Sequence, residues 1–308
     1  ADSTTIPVVI PSESKTVFRN DLQFWEENSI KSGDNYRIEY KFDYSNAYRF
    51  LNANNFFRFR KIGRDKDKVY VFVRIENKIL TEVLPYVMRD FLVDFSKSLN
   101  KKDILNMIFK GSRQYLSEQS LSNIDLIDLN ILRSGPDYEY MFFNNFVWKI
   151  SKDEIVQLSY ESFEGYIWRE NVIDFSPTLV DPLFETEFLD NKFTVSIRED
   201  HGCHFLQFLT NTSRMYHKTE PRSYTQEMRD EEDVHLLNKL SAIGYLLHNF
   251  RDDSRTWAVV AMDNSISEVG ESNGGTGKSL LGFAFKEVCS SVYIEGKSKK
   301  LTENPHIW

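Results

Sequence analysis

The chain has 308 residues, of which 41% are hydrophobic and 14% aromatic, and this composition predicts a folded globular protein rather than an extended disordered one. The formal net charge of −8 argues against a protein that coats nucleic acid over its whole surface, so any DNA contact is expected to be local. Two cysteines, no apolar run of transmembrane length and no signal-peptide pattern at the N-terminus predict a cytoplasmic protein without a membrane partner.

Residues 1–180 are predicted to form a mixed α/β accessory region. In chain order its elements are a short helix at 22–27, a strand at 36–42, a helix at 45–54, strands at 56–62, 69–75 and 78–83, helices from Pro85 and over 101–121, and a β-rich segment over 124–175. The segment 174–185 contains two prolines and is the predicted linker.

Residues 181–308 are predicted to be the N-terminal part of a P-loop ATPase domain. The predicted elements are helices at 204–216, 225–250 and 278–288 and strands at 256–263 and 291–295. The helix at 225–250 follows from apolar residues that recur at helical spacing. The fold class is therefore α/β, a mixed accessory region followed by the start of an AAA+-like domain.

A glycine-rich loop, GESNGGTGKSLL (270–281), lies between the last predicted strand and helix. Its glycines allow successive backbone N–H groups to point at an anion, and Lys278 supplies a positive charge for nucleotide phosphates. The Ser279 hydroxyl is the expected contact to Mg²⁺. The predicted site for ATP and Mg²⁺ comprises Ser272, Asn273, Gly274, Gly275, Thr276, Gly277, Lys278 and Ser279.

This loop departs from the usual P-loop pattern, because Ser272 occupies the position of its first glycine. A plain glycine-rich turn before a helix is the alternative interpretation. Hydrolysis also requires a carboxylate at the end of a second apolar strand. Asp263 and Glu295 are the nearest candidates, and we interpret both as strand-end residues. The catalytic residues are therefore unknown, and no arginine finger is identifiable.

The segment 236–281 resembles the helicase part of primase–helicase proteins from phages and bacterial mobile elements, and GGTGKS is similar to the Walker A motif of superfamily-3 helicases. The segment 142–168 resembles the β-rich part that precedes this motor. The resemblance implies Mg-ATP, a hexameric ring of identical subunits, and unwinding of or translocation along single-stranded or forked DNA during replication. It also implies that the chain is a fragment of a longer protein, ending before Walker B and hydrolysing ATP poorly by itself.

Two other functions stay open beside the helicase. The chain could be a non-catalytic nucleotide-binding or DNA-binding and assembly module, which the missing Walker B favours. It could also be another P-loop enzyme, such as a small-molecule kinase.

Arginines alternate with aromatic residues on the predicted strands at 56–62 and 69–75. Arg58, Arg60 and Arg74 are candidate contacts to single-stranded DNA, since stacking rings and cations suit that ligand. A winged-helix module is one arrangement that fits the order of elements. The alternative, which we favour, is a half-buried sheet whose aromatic side chains point inward.

The histidines are interpreted without a metal. His201, Cys203, His204 and His217 lack the second ligand pair that a zinc site requires. His235 and His248 lie among leucines of the long predicted helix and are interpreted as packing residues.

Overall fold

The computed structural model describes residues 22–60, 70–198, 202–252, 254, 257–262, 277–289 and 291. The chain divides into two compact units. The first comprises Ala1–Ile131 and Gly165–Arg169, and the second comprises Leu132–Glu164 and Glu170–Trp308. The predicted α/β class is confirmed, since both units combine helices with sheets. The predicted domains, 1–180 and 181–308, divide the chain at other positions than these two units do. That they have separate functions stays a prediction.

The helices and strands follow one another in an irregular order that mixes both types throughout the chain. In chain order they are β1 (Trp25–Ser32), β2 (Asn35–Phe42), α1 (Tyr44–Ala53), β3 (Phe56–Phe59), β4 (Val71–Glu76), β5 (Ile79–Glu82), α2 (Pro85–Ser98), α3 (Lys102–Tyr115), α4 (Glu118–Leu121), β6 (Leu126–Ile127), β7 (Tyr138–Phe143), β8 (Val147–Ser151), β9 (Ile155–Leu158), β10 (Ile167–Trp168), β11 (Val172–Ile173), β12 (Phe184–Leu189), β13 (Lys192–Ile197), α5 (His204–Ser213), α6 (Gln226–Leu247) and α7 (Lys278–Ala284).

The first unit is built on a five-stranded sheet in the order β10-β5-β4-β3-β6. Strands β3, β4 and β5 are antiparallel, and the two outer strands pair with them in parallel. Because neighbouring residues of a strand point to opposite faces, Phe72 and Val73 of β4 enter different cores. The core at Phe72 is completed by α1, α2 and α3 and contains the fully buried Phe50 and Leu92.

Local sequence explains where the helices of this unit begin. The Asp43 carboxylate accepts a hydrogen bond of 3.0 Å from the Asn46 backbone N–H, which caps α1. Helix α2 begins at Pro85, where the missing N–H of proline costs no intrahelical hydrogen bond. Both predicted starts are confirmed within two residues.

The second unit contains a four-stranded sheet in the order β11-β7-β8-β9 and a separate β12–β13 hairpin. Strand β13 packs against α6, where Lys192 Nζ lies 2.6 Å from the Asp230 carboxylate. The predicted helices at 204–216 and 225–250 are confirmed as α5 and α6. Within the described ranges, every helix is too short or too polar to cross a membrane.

Two predicted elements are wrong. Residues 22–27, predicted as helical, instead lead into β1, because Trp25 pairs with Phe42 and both rings enter the core. Residues 257–262 form no strand. An apolar run becomes a strand only where a neighbour accepts its backbone hydrogen bonds, and among the described residues none pairs with it. The predicted strand at 291–295 lies outside the described residues apart from Ser291.

Candidate functional site

The described part of the glycine-rich loop is its end, Gly277, followed by Lys278 and Ser279 at the start of α7. Ser272, Asn273, Gly274, Gly275 and Thr276 lie outside the described residues, as do Asp263 and Glu295. The predicted helix after the loop is confirmed: α7 covers Lys278–Ala284, and a 3₁₀ turn continues it over Phe285–Glu287.

Gly277 has a backbone conformation that requires glycine. Its φ is +83°, in the left-handed region that residues with a Cβ adopt only with strain. A Cβ at this position would lie 2.6 Å from Cε2 of Phe208 on α5. The φ angle therefore disfavours a side chain at this end of the loop, and the Phe208 ring would have to move to admit one.

The described end of the loop is a glycine turn that leads directly into a helix. The Gly277 carbonyl accepts the first hydrogen bond of α7, 3.1 Å from the Leu281 N, so the helix begins directly after the left-handed turn. Lys278 is half-buried and Ser279 is exposed. A glycine turn followed by Lys-Ser places an ammonium group and a hydroxyl beside backbone N–H groups, which is the donor set that nucleotide phosphates and Mg²⁺ require.

Helix α5 also brings Thr212 close to the same glycine. Thr212 lies one turn after Phe208, and its methyl carbon would be 3.9 Å from a Cβ at Gly277. Lys239 of α6 donates a hydrogen bond of 2.9 Å from Nζ to the Thr212 hydroxyl oxygen. Burial lowers the pKa of Lys239 below its ordinary value, because desolvation disfavours the charged amine.

The predicted DNA-contacting arginines occupy different environments. Arg58 Nε donates a hydrogen bond of 2.8 Å to the Ile124 carbonyl, and its Cζ lies 5.0 Å from the Tyr70 ring centroid. Arg74 lies over Phe56, at 5.2 Å, and pairs with Glu76 at 3.0 Å. These two guanidinium groups are thus held by the protein itself.

Arg60 differs from the other two arginines because it follows the end of β3 and is exposed. Alternation along the strands predicts that Arg58 and Arg60 share one face and that Tyr70, Phe72 and Arg74 share one face of the neighbouring strand. In the register Phe56 lies opposite Arg74 and Arg58 lies opposite Phe72, and directly opposite residues point to the same face. Only Arg60 of the three is fully accessible to a ligand.

We expect Arg58→Ala to lower the free energy of unfolding of the first unit by about 2 kcal/mol, because a charged donor to a part-buried carbonyl and a cation–π contact are both lost. Arg60→Ala, a matched loss of charge two residues away, is expected to change it by less than about 0.5 kcal/mol. Urea denaturation followed by hydrogen exchange of α1 amides measures both values. Equal effects of the two substitutions would contradict the assigned role of Arg58.

A buried carboxylate, Glu139 of β7, forms hydrogen bonds with the segment that directly follows α6 in the second unit. It accepts hydrogen bonds from Ser134 Oγ at 2.6 Å, from the Asn249 N at 2.7 Å and from Asn249 Nδ2 at 2.9 Å. His248 Nε2 lies 2.9 Å from the Gly135 carbonyl oxygen, so this nitrogen carries the proton. His248 was predicted to pack among the leucines of the helix, but it lies directly after the end of α6 and contacts backbone carbonyl groups instead.

The second unit also contains a cavity of about 980 Å³ beside this cluster. Glu139, Asn249, Arg251, Glu170 and Lys286 are among the residues that line it. Their charges are of both signs, and the buried Glu139 carboxylate is already satisfied by donors. Gly277, Lys278 and Ser279 do not line this cavity, so it is separate from the described end of the phosphate loop.

The histidine and cysteine residues make ordinary local contacts where they are described. His204 Nδ1 lies 3.3 Å from Gln207 Oε1, and His217 Nδ1 lies 3.0 Å from the Arg214 carbonyl oxygen. Among the residues that the structure describes, no group of three or more His, Cys, Asp or Glu side chains is arranged to hold a metal ion. His201 lies outside this part of the chain.

No protein-family model, curated protein or solved structure matches the chain.

Sequence reasoning missed Phe208, Thr212 and Lys239. The first two share a helix face by their spacing of four residues, which the prediction of α5 already implied. A lysine within an otherwise apolar stretch of α6, LLNKLSAIG, was the signal for Lys239. The approach of Phe208 and Thr212 to Gly277, and of Lys239 to Thr212, depends on how the helices pack. Periodicity carries no information about packing between helices.

Proposed function

We propose that the chain binds the phosphates of Mg-ATP through residues 272–279. The observation that supports this most directly is the left-handed Gly277, enclosed by Phe208 and followed at once by a helix that begins with Lys278 and Ser279. A plain glycine-rich turn needs the left-handed angle as well. It gives no reason for Lys-Ser at the first two helical positions, which is where phosphate and Mg²⁺ chemistry requires them.

Each described residue has a defined role in this proposal. Gly277 keeps the backbone free of side-chain atoms where phosphate oxygens approach, and Lys278 neutralises charge on the β- and γ-phosphates. Ser279 holds Mg²⁺ through its hydroxyl oxygen. When bound, Mg²⁺ draws charge from the phosphate oxygens, and the chain's own residues orient the phosphates and exclude other conformations.

The larger function that we propose is ATP-dependent DNA unwinding or translocation, within a replication primase–helicase that acts as a ring of identical subunits in the cytoplasm. The support is the resemblance of 236–281 and the phosphate-loop geometry. Single-stranded or forked DNA is the proposed partner. Of the three arginines predicted to contact DNA, Arg60 is the exposed one, because Arg58 and Arg74 are held by intramolecular contacts.

We expect Lys278→Ala to weaken Mg-ATP binding by roughly 10- to 150-fold, the equivalent of about 1.5–3 kcal/mol for a hydrogen bond to a charged group. Isothermal titration calorimetry measures the dissociation constant directly. Lys286→Ala is the matched control, since it removes the same charge two residues after the end of α7 and is expected to leave the affinity unchanged. Unaltered binding by the Lys278 variant would reject the nucleotide site.

The non-catalytic module is the second candidate, favoured by the lack of an identified carboxylate for hydrolysis. Measuring phosphate release with and without single-stranded DNA separates the possibilities once binding is established. DNA-stimulated turnover supports a motor, and binding without turnover supports a module. Turnover that depends on a small acceptor molecule, with no response to DNA, supports a kinase.

A further inference from the structure

The β1–β2 hairpin extends away from the core of the first unit. Trp25, Tyr40 and Phe42, at its base, lie in or against that core, whereas every residue from Glu26 to Glu39 is exposed. In the described ranges, neither strand of the hairpin pairs with a third strand. A two-stranded hairpin with both faces in water is marginally stable by itself, so this element gains free energy when a further strand pairs with it.

The register of the hairpin shows which backbone groups of β1 point away from β2. Ser32 lies opposite Asn35 across a two-residue turn, and such a closing pair is joined by hydrogen bonds. In an antiparallel ladder, hydrogen-bonded pairs alternate with pairs that make no hydrogen bonds to each other. Lys31, Ser29 and Glu27 belong to pairs of the second kind. Their N–H and C=O groups therefore point outward, along the free edge of β1.

This edge lacks most of the features that protect edge strands from pairing. Such strands are usually very short, or they carry a proline or a bulge. Strand β1 has eight residues, contains no proline and pairs with β2 without an interruption of the register. Its charges are Glu26 and Glu27 near the start and Lys31 near the end. This order repels a parallel copy of the same strand in register and attracts an antiparallel one.

We propose that the outer edge of β1 pairs antiparallel with β1 of a second copy of the chain, about a two-fold axis at Ser29. In this register Ser29 lies opposite Ser29 of the second copy, and Glu27 of each copy lies opposite Lys31 of the other. All three residues have outward backbone groups, so the pairing satisfies these groups with hydrogen bonds. The two hairpins then form one four-stranded antiparallel sheet.

The side chains on both faces of this sheet are compatible with the register. On one face, Glu27 and Lys31 form an ion pair twice, once on each side of the two-fold axis. Glu27 Oε1 also lies 3.3 Å from Lys101 Nζ within its own chain, and the carboxylate has a second oxygen for the other copy. On the opposite face, the Ile30 side chains of the two copies become diagonal neighbours. Ile30 is 42% exposed in the single chain, so this contact removes apolar surface from water.

The proposed contact is isologous, because the same edge is used by both copies. It goes beyond the proposed ring, whose subunits require heterologous contacts, and it does not depend on nucleotide. A single strand edge buries less than the roughly 800 Å² per partner of a standard interface, so we expect a dissociation constant of about 1–100 µM.

Sedimentation velocity of the full chain over a range of concentrations tests the proposal. The natural chain is expected to change from monomer to dimer. Ser29→Pro removes the outward N–H at the centre of the pairing and keeps the bonds within the hairpin, because proline is tolerated where the N–H faces away from the sheet. We expect this variant to stay monomeric. Ser29→Ala is the matched control, since it keeps the N–H, and its dissociation constant is expected within about threefold of the natural value.

Charge reversal tests the register by a route that leaves the backbone unchanged. Lys31→Glu places like charges opposite each other twice, and we expect it to weaken association by about tenfold or more. Glu27→Lys is expected to do the same. An equimolar mixture of the two variants is expected to regain association, because each mixed dimer contains two attractive pairs. Lys110→Glu, the same change at an exposed residue of α3, is the matched control and is expected to have no effect.

Three results would overturn the proposal. The first is a natural chain that stays monomeric up to about 500 µM, well above the expected dissociation constant. The second is a dimer or larger assembly that neither Ser29→Pro nor the charge reversals weaken, because another surface then forms it. The third is hydrogen exchange that protects the Ser29 and Lys31 amides equally at all concentrations, because another part of the same chain then covers the edge. Protection that rises with concentration supports the pairing.

Discussion

Phe50→Ala is expected to lower the free energy of unfolding of the first unit by about 3–5 kcal/mol, the usual cost of truncating a fully buried phenylalanine. Phe50 of α1 is 0% exposed, and its ring centroid lies 4.6 Å from that of Phe95 and 5.5 Å from that of Phe24. The substitution therefore removes ring contacts to α2 and to the segment before β1 and leaves a cavity between them.

Urea denaturation of the Phe50→Ala protein and of the natural chain measures this loss of stability. Hydrogen exchange of the α1 and α2 amides shows whether the loss is located in the first unit. Phe109→Ala is the matched control, because Phe109 lies on α3 of the same unit but is 56% exposed. Its expected change is within about 0.5 kcal/mol. If the two phenylalanines gave similar losses, the assignment of Phe50 to the centre of the core would be wrong.

Gly277→Val is expected to weaken Mg-ATP binding strongly. A side chain in the left-handed region costs about 1–2 kcal/mol, and overlap with Phe208 adds about 1–3 kcal/mol. These costs correspond to a loss of affinity of roughly thirtyfold or more, because the backbone must leave the geometry that binds phosphate. Calorimetry with Mg-ATP gives the affinity, and circular dichroism reports whether α7 survives.

Gly282→Ala is the control within the same helix. A Cβ at Gly282 would meet no atom within 4 Å, and alanine in a helix interior is favoured over glycine by about 0.5–1 kcal/mol. We expect unchanged nucleotide affinity and equal or greater stability. Tight binding by Gly277→Val would show that the turn at this glycine does not contribute to the site.

Elements with strong local signals could be predicted from the sequence. Helix α2 begins at its proline, α6 follows the helical spacing of apolar residues, and β8 and β9 lie in the segment predicted to be β-rich. Strand β1 could not be predicted, because Trp25 becomes extended only by pairing with Phe42. The strand predicted from the apolar run at 257–262 is wrong for the opposite reason. Its residues favour a strand, but none of the described strands pairs with them.

The candidate site also has a part that local sequence predicts and a part that depends on long-range contacts. Gly277, Lys278 and Ser279 form a contiguous motif, so their chemistry could be stated from residue types alone. Thr212 lies near Gly277 only because α5 packs beside the loop, which is a long-range contact. Lys239 of α6 in turn contacts Thr212. Arg58 and Arg74 were candidates for a ligand because their aromatic neighbours were visible in the sequence. The carbonyl of Ile124 and the carboxylate of Glu76 that hold them were not identified as partners.

Helix α6 is held by contacts to three other elements of the second unit. Its 22 residues span about 33 Å at the usual rise per residue. Near its start, Asp230 pairs with Lys192 of strand β13, and at its middle Lys239 donates a hydrogen bond to Thr212 of α5. Just after its end, the Asn249 N–H donates to Glu139 of the sheet. The helix is therefore fixed near its start, at its middle and just after its end, so the loss of any one of these contacts leaves two others that hold it in place.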